Sequence, residues 1–326
     1  MTKLSEIAQL AGCSPATVSR ALSVNPDASA RMSKETYRSI MKAAQALGYR
    51  PNRNAEFLRR GKSPTIGVFL PKYRNDLIAA MVMGISEAAE RLSFPLAFSF
   101  ESTVGYYKKF MEKVYKGQNI GIITFPHFVL EEDSHGLIEN YCRNGGKLVI
   151  LNTGNTLPDL HQDVISVEID DFHGGVLAAE HILKNGCETV FGMCGIPRRK
   201  QGFSERLKES DKEAVFFTEK ESSYNEIIKK CLNTSSTVGI FCAADRMAVH
   251  MHSMLLRNNL IPGDRVKLIG FDDMSLTAHL SPSLTTISQP LEEVGKCAVE
   301  QLVASIYGKK PVSSQFRPKL VIRETC

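Results

Sequence analysis

The sequence predicts an all-α helix-turn-helix headpiece joined to an α/β core of two doubly wound lobes. Residues 4–22, Leu-Ser-Glu-Ile-Ala-Gln-Leu-Ala-Gly-Cys-Ser-Pro-Ala-Thr-Val-Ser-Arg-Ala-Leu, read as two short helices around a tight turn. Residues 1–62 hold eleven Lys/Arg against four Asp/Glu, a balance of +7 in a chain whose net charge is +5, so the rest carries −2. From Thr65 onward, apolar strand-like runs alternate with helical stretches, in two series. Such alternation means parallel sheets, and two series mean two lobes.

In the first helix, Leu4, Ile7, Ala8 and Ala11 fall at i, i+3, i+4 and i+7 and form one apolar face. Gly12 follows, where a helix end needs a residue that accepts positive φ. Ser14 can cap the next helix, and Pro15 suits its first position, where no amide hydrogen is needed. In that helix Val18, Ala21 and Leu22 point inward, leaving Ala16, Thr17, Ser19, Arg20 and Ser23 outside. The small Ala8 and Ala21 let the two helices cross closely. This spacing suits a unit whose second helix enters a DNA major groove. The competing reading is an ordinary helical hairpin in a core, which does not need Gly12, Ser14 and Pro15 at these offsets with an arginine outside.

Ser33 opens a third helix, with Tyr37, Ile40, Met41, Ala44 and Leu47 on its apolar face; Gly48 ends it and Pro51 forbids its return. Residues 51–62 form a basic linker containing Arg53, Arg59, Arg60 and Lys62. Asn52 can cap a helix of about two turns that Gly61 ends. An isolated helix shorter than ~12 residues is marginal in water, so residues 52–60 are expected to be helical only when docked. Phe57 and Leu58 are apolar without an obvious core. Such a residue either packs on the neighbouring domain or the partner's linker or serves as a minor-groove wedge; Leu58 reads as the wedge and Phe57 as packing.

In the first series of the core, strands at Thr65–Leu70, Leu96–Phe100, Ile120–Phe125 and Lys147–Leu151 alternate with helices near Leu77–Leu92, Tyr106–Lys116 and Ser134–Arg143. In the second, strands at Thr189–Cys194, Val215–Thr218, Val238–Cys242 and Val266–Phe271 alternate with helices at Gly174–Lys184, Tyr224–Leu232 and Arg246–Asn258. Ligands in such folds bind at the carboxyl ends of the strands, here between the lobes.

Several classes of function find no support. The eight cysteines form no C-x-x-C pair or zinc-finger spacing, which speaks against a metal site or disulfide framework and fits a reducing cytosol. The chain starts with a polar segment rather than a signal peptide, and no apolar run approaches the ~20 residues of a membrane span. Neither nucleotide-binding glycine motif is present, so no cofactor is implied. No Ser/His/Asp set sits in a nucleophile context, which speaks against an enzyme. His250 and His252 face different ways on one helix and read as surface or core histidines.

Thr17-Val18-Ser19-Arg20, Leu47-Gly48-Tyr49-Arg50-Pro51-Asn52 and Ile66-Gly67-Val68 resemble the LacI/GalR family of bacterial transcription regulators. The resemblance runs through essentially the whole chain, strongest in the headpiece. Between Leu22 and Ser33 this chain is about four residues longer than the family pattern. The resemblance implies a headpiece at 1–50, a hinge at 51–63 and a periplasmic-binding-protein-like core at 64–326. Its lobes are expected at about 64–165 with 290–315, and about 166–289 with 316–326.

By family position, Pro15, Ala16, Thr17, Ser19 and Arg20 meet the major groove. Arg20 can pair bidentately with guanine, worth roughly 1–3 kcal/mol of discrimination, whereas Pro15 and Ala16 offer only apolar contact. Asn52, Arg53, Ala55 and Leu58 match the hinge, with Leu58 at the place of the family's minor-groove leucine. A pyrimidine–purine step there is comparatively easy to unstack. Effector residues carried over are Tyr73, Asn152, Arg199 (in Arg199-Lys200-Gln201-Gly202-Phe203) and Asp272 (in Gly270-Phe271-Asp272-Asp273). For Arg199 the alternative is an exposed basic loop, and for Asp272 a turn contact at a strand end. Two departures touch the effector site: Ala244-Asp245 stands for the family's Asn-Asp, and Asn75-Asp76-Leu77 for its Asn-Pro-Phe.

The resemblance thus implies a cytoplasmic, nucleoid-associated repressor that binds palindromic operator DNA as a homodimer and responds to a small-molecule effector, best matched by a sugar. The alternative is a sugar-binding protein without a role on DNA.

Overall fold

The computed structural model describes residues 3–22, 32–49, 63–72, 76–116, 119–125, 132–152, 164–310 and 312–326. Tyr73 and the hinge residues Asn52, Arg53, Ala55 and Leu58 lie outside these. So do Phe57 and most of the longer loop after Leu22.

The chain divides into two compact units. Among the described residues the first contains three helices, α1 (Leu4–Ala11), α2 (Pro15–Ala21) and α3 (Lys34–Ala46). Gly12 ends α1 at φ 66°, and its amide donates to the Ala8 carbonyl. The Ser14 and Ser33 hydroxyls accept from the Thr17 and Thr36 amides, each at 3.1 Å, and so cap α2 and α3. The core is Ile7, Ala8, Val18, Ala21, Ile40, Ala43 and Ala44, edged by Leu4, Ala11, Leu22 and Leu47. The expected face of α3 needs correction: Tyr37 and Met41 are exposed, and Ala43 takes the inward position. A unit this thin leaves room over α3 for alanines, and the two larger side chains are displaced to its flank.

In the larger unit, a six-stranded sheet is built from β1 (Ser63–Leu70), β2 (Leu96–Phe100), β3 (Asn119–Thr124), β4 (Leu148–Leu151), β5 (Val164–Ile169) and, from near the C-terminus, β11 (Ser314–Phe316). Its order is β11-β5-β4-β3-β1-β2. The helices of this lobe are α4 (Asp76–Arg91), α5 (Val104–Lys116), α6 (Glu132–Arg143) and the late α11 (Leu291–Ile306). A Cβ on Gly84 of α4 would overlap the Glu292 carbonyl of α11, and one on Gly295 would lie 2.5 Å from the Met81 carbonyl. These two glycines let α4 and α11 touch backbone to backbone.

The second sheet has the order β7-β6-β8-β9, from β6 (Thr189–Met193), β7 (Ala214–Phe217), β8 (Val238–Cys242) and β9 (Val266–Ile269), all parallel. Its helices are α7 (Asp171–Lys184), α8 (Pro197–Lys208), α9 (Glu221–Leu232) and α10 (Asp245–Arg257). A short antiparallel ribbon, β10 (Thr286–Ser288) with β12 (Lys319–Val321), flanks this lobe.

The expected strands sit within one or two residues of their places because the central ones, such as β4 and β8, are buried apolar runs, as parallel sheets covered on both faces require. The first sheet extends past the expected lobe crossing near residue 165, since the whole of β5 pairs with β4 and β11. Among the described residues, no helix is long and apolar enough to cross a membrane.

Candidate functional site

The larger unit holds a cavity of about 730 Å³ at the carboxyl ends of strands from both sheets. Phe125 follows β3, Asn152 follows β4, Gly195 follows β6, Ala243 follows β8 and Asp272 follows β9, and all line it. Two of these residues carry unusual backbone, Asn152 at φ 46° and Asp272 at φ 128°, with Asp273 next at φ 57°. Non-glycine residues rarely adopt such angles unless the surroundings fix them, and they concentrate at functional sites.

Arg199 is the third residue of α8 and is 4% exposed. The exposed-loop alternative therefore falls. Its Nε donates to Asp171 Oδ1 at 2.7 Å and its Nη1 to the Ala243 carbonyl at 2.7 Å. Nη1 also lies 3.7 Å from Asp272 Oδ1. The guanidinium carbon sits 3.5 Å from the centroid of the Phe271 ring, a cation–π contact. Gln289 completes the set: its Nε2 donates to Asp272 Oδ1 at 2.7 Å, and its Oε1 accepts from Arg199 Nη2 at 3.5 Å.

A close helix crossing holds this arrangement. A Cβ on Gly202 would overlap the Phe172 carbonyl, and one on Gly175 would overlap the Arg199 carbonyl. Bare backbone at both positions lets α7 and α8 meet, bringing Asp171, the first residue of α7, against Arg199.

Three of the four expected effector residues, Asn152, Arg199 and Asp272, are thus brought to one cavity. Tyr73 lies outside the described residues. Asn152 enters from the first lobe, where its amide donates to the Val167 carbonyl at 3.0 Å. Sequence reasoning missed Asp171 and Gln289. A buried arginine requires an acidic partner, but the chain offers no local sign of which acid. It also missed the apolar wall, to which α4 contributes Leu77, Ile78 and Met81 and the second lobe Met247 and Met274. His252 is buried, 2.8 Å from the Pro282 carbonyl, whereas His250 is exposed beside Glu221.

Asp245 is fully buried at the start of α10. Its carboxylate accepts from Thr286 Oγ1 at 2.6 Å and from the Met274 amide at 2.8 Å. It occupies the space that a side chain on Gly270 would need. Across the lobes, Asp76 Oδ2 accepts from the Ser275 amide at 2.7 Å, and the Ser275 hydrogen bonds hold the Asp76 carboxyl below its ordinary range.

Burial pushes Asp272 up to about 7, partly offset by Arg199, and pushes Asp245 up to about 6 against its hydrogen bond from Thr286. A carboxyl raised by folding favours the protonated folded state. Its contribution is complete below the ordinary carboxylate pKa near 4 and is lost as pH rises through 6 and 7. Asp272→Asn is therefore expected to flatten the fall in core melting temperature between pH 5 and 8. Calorimetry of both proteins across that window checks this; parallel curves would refute it.

In the smaller unit, Pro15, Ala16, Ser19 and Arg20 are exposed along α2, and Thr17 is partly so, its hydroxyl 2.9 Å from Ser14 Oγ. The α2 helix thus offers one cation, one hydroxyl and two apolar contacts on its outward face.

Comparison with known proteins adds the following. Residues 3–52 match "Bacterial regulatory proteins, lacI family" and residues 179–326 match "Periplasmic binding protein-like domain". The HTH-type transcriptional regulator GalR of Salmonella typhimurium is 26% identical over 342 residues, spanning 100% of this chain and 96% of GalR. In fold, the chain is similar to the lac repressor dimer bound to operator and the anti-inducer ONPF, with a TM-score of 0.70 at 23% identity over 99% of this chain and 98% of that one. It is equally similar to the transcriptional regulator CelR in complex with cellobiose, with a TM-score of 0.70 at 21% identity over all of both chains. The chain thus carries a match to the lacI family of bacterial regulatory proteins at residues 3–52, a match to a periplasmic-binding-protein-like domain at residues 179–326, and an alignment along its whole length to a transcriptional regulator.

Proposed function

We propose that this protein is a repressor that binds a palindromic operator as a homodimer and is controlled by a small-molecule effector of the sugar type in the cavity around Arg199 and Asp272. One observation carries the reading: α2 presents Arg20 outward from a helix-turn-helix, on a chain that also holds a large cavity at the carboxyl ends of its strands. Residues 1–50 read the operator through Pro15, Ala16, Thr17, Ser19 and Arg20. Residues 51–63 act as hinge through Asn52, Arg53, Ala55 and Leu58, and residues 64–326 bind the effector and the second copy. Two copies match the two halves of a palindrome. Asn152, Asp272 and Gln289 supply acceptors and donors for ligand hydroxyls, as the cellobiose-bound CelR and the GalR relative suggest by name. Tyr73 belongs to the same set by family position. The protein works in the cytoplasm, at the nucleoid.

The test is DNA binding by the full chain to an operator selected from randomised palindromes. Binding is expected to weaken steeply with salt, as phosphate contacts release counterions. Arg20→Ala is expected to raise Kd for the selected operator about 5- to 150-fold while leaving binding to unrelated DNA nearly unchanged. Equal losses on both DNAs would remove Arg20 from base recognition. No selectable operator would leave a sugar-binding protein without a role on DNA.

A further inference from the structure

The helix α5 stands out by its charge. It carries Lys108, Lys109, Lys113 and Lys116 against Glu112, a balance of +3, in a core whose net charge is −2. Its buried face is Tyr107, Phe110, Met111 and Val114, at i, i+3, i+4 and i+7. Lys109, Lys113 and Lys116 follow one another on the outer face at spacings of four and three residues. Like charges at these spacings repel, so the stripe weakens the helix rather than supporting it. Cations in a last turn complement the helix dipole, which accounts for Lys113 and Lys116 but not for Lys109. Lys113 and Lys116 are exposed, and among the described residues neither enters an ion pair. Tyr115, between them in sequence, is 53% exposed and offers a hydroxyl of the kind that bonds phosphate oxygens.

The sheet fixes where this stripe ends. Strands β1 and β3 are neighbours, and the Phe125 amide just past β3 donates to the Phe69 carbonyl of β1 at 2.9 Å. Their carboxyl ends therefore coincide, and so do their amino ends, Ser63 of β1 and Asn119 of β3. Adjacent strands lie about 5 Å apart. Lys116 closes α5 three residues before Asn119, and Lys147 immediately precedes β4, the strand on the other side of β3. Residues 51–62 enter the core at this same edge. If Leu58 occupies the minor groove, five residues of chain bring Ser63 to within about 18 Å of it. The amino edge of the first sheet is then tethered close to a dense polyanion.

We propose that Lys113, Lys116 and Lys147 form a second DNA-contacting surface, on the core itself, which holds backbone phosphates flanking the operator half-site. This rests on the proposed operator binding and extends the contact beyond headpiece and hinge. Phosphates carry no base identity, so the surface adds affinity and orientation without sequence preference. It also holds the first lobe to the duplex independently of the hinge.

The test is titration of the full chain, across salt concentrations, with two duplexes bearing the selected operator. One ends at the operator boundaries; the other extends about ten base pairs further on each side, one helical turn. The unaltered protein is expected to bind the extended duplex more tightly and with a steeper salt dependence. Lys113→Gln with Lys116→Gln is expected to remove most of that gain. Its salt slope should be shallower by about 3 to 4, since each phosphate contact contributes about 0.9 and a homodimer presents the pair twice. Lys113→Arg with Lys116→Arg is expected to keep the slope. Lys229→Gln with Lys230→Gln makes the same charge change on exposed residues of α9 and is expected to alter neither quantity. Equal binding of both duplexes by the unaltered protein, or equal effects of the two glutamine pairs, would overturn the inference. If operator binding persists with an unchanged slope in the α5 variant, only the core contact fails; if no operator is bound at all, the regulatory reading fails.

Discussion

Replacing Arg199 by methionine is expected to destabilise the core by about 3–5 kcal/mol, the range seen when one member of a buried ion pair is removed. The reason is what remains. Asp171 and Asp272 are both nearly inaccessible, with side chains 6% and 8% exposed. Without the guanidinium, each must either stay charged in a poor solvent or take up a proton. The Ala243 carbonyl loses its donor as well, and the Phe271 face loses its cation. Asp171→Leu alone is expected to be severe for the mirror-image reason. The double variant Arg199→Met with Asp171→Leu is expected to recover part of the sum, because an apolar pair of similar volume can replace a buried ion pair at small cost. Urea unfolding of the four proteins, read by circular dichroism, closes the cycle. Additive losses would mean that the pair contributes as two independent side chains.

Gly202→Val is the second large expectation. At this crossing α8 lies directly on the Phe172 carbonyl of α7, and a side chain there has no flexible neighbour to displace. The helices must separate, with a loss of at least the ~1–3 kcal/mol typical of overpacking. Because α7 carries Asp171 and α8 carries Arg199, the separation also lengthens their ion pair, so ligand affinity should fall along with stability. Gly136→Ala in α6 is the control. A Cβ there meets nothing within 4 Å, so this change is expected to add about 0.4–1 kcal/mol. An equal loss of stability at both positions would mean that the crossing is not what makes Gly202 sensitive.

Much of this architecture is legible in the sequence, for identifiable reasons. Gly12, Ser14 and Pro15 act over three or four residues, so their roles as stop, cap and first turn can be read locally and are observed. Buried parallel strands announce themselves as apolar runs. The α8 helix does not: Pro197-Arg198-Arg199-Lys200-Gln201 is highly charged, and its buried surface comes from Gly202, Phe203 and Leu207 with the one buried arginine. Arg199 thus resembles its neighbours Arg198 and Lys200 in sequence and differs from them through partners distant in the chain, Asp171 being 28 residues away. Asp272 carries a local sign, the acid pair after Gly270-Phe271, but Gln289 reaches it from a separate segment. The α3 face shows a limit of periodicity. A helical stripe can be drawn through Tyr37 and Met41 or through Ala43, and the available volume decides between them.

The pairing of β11 with β5 sets an order of events during synthesis. Ser314 lies beside Val167, so the first sheet receives its last strand only after all four strands of the second sheet have been translated. The intervening stretch of 147 residues takes roughly 7–30 s at bacterial elongation speeds of about 5–20 residues per second. Throughout that interval β5 emerges with one side unpaired, an invitation to misplaced strands. Because α11 and β11 arrive together late in the chain, the lobe that is begun first still waits for two of its elements after every strand of the second sheet has been made.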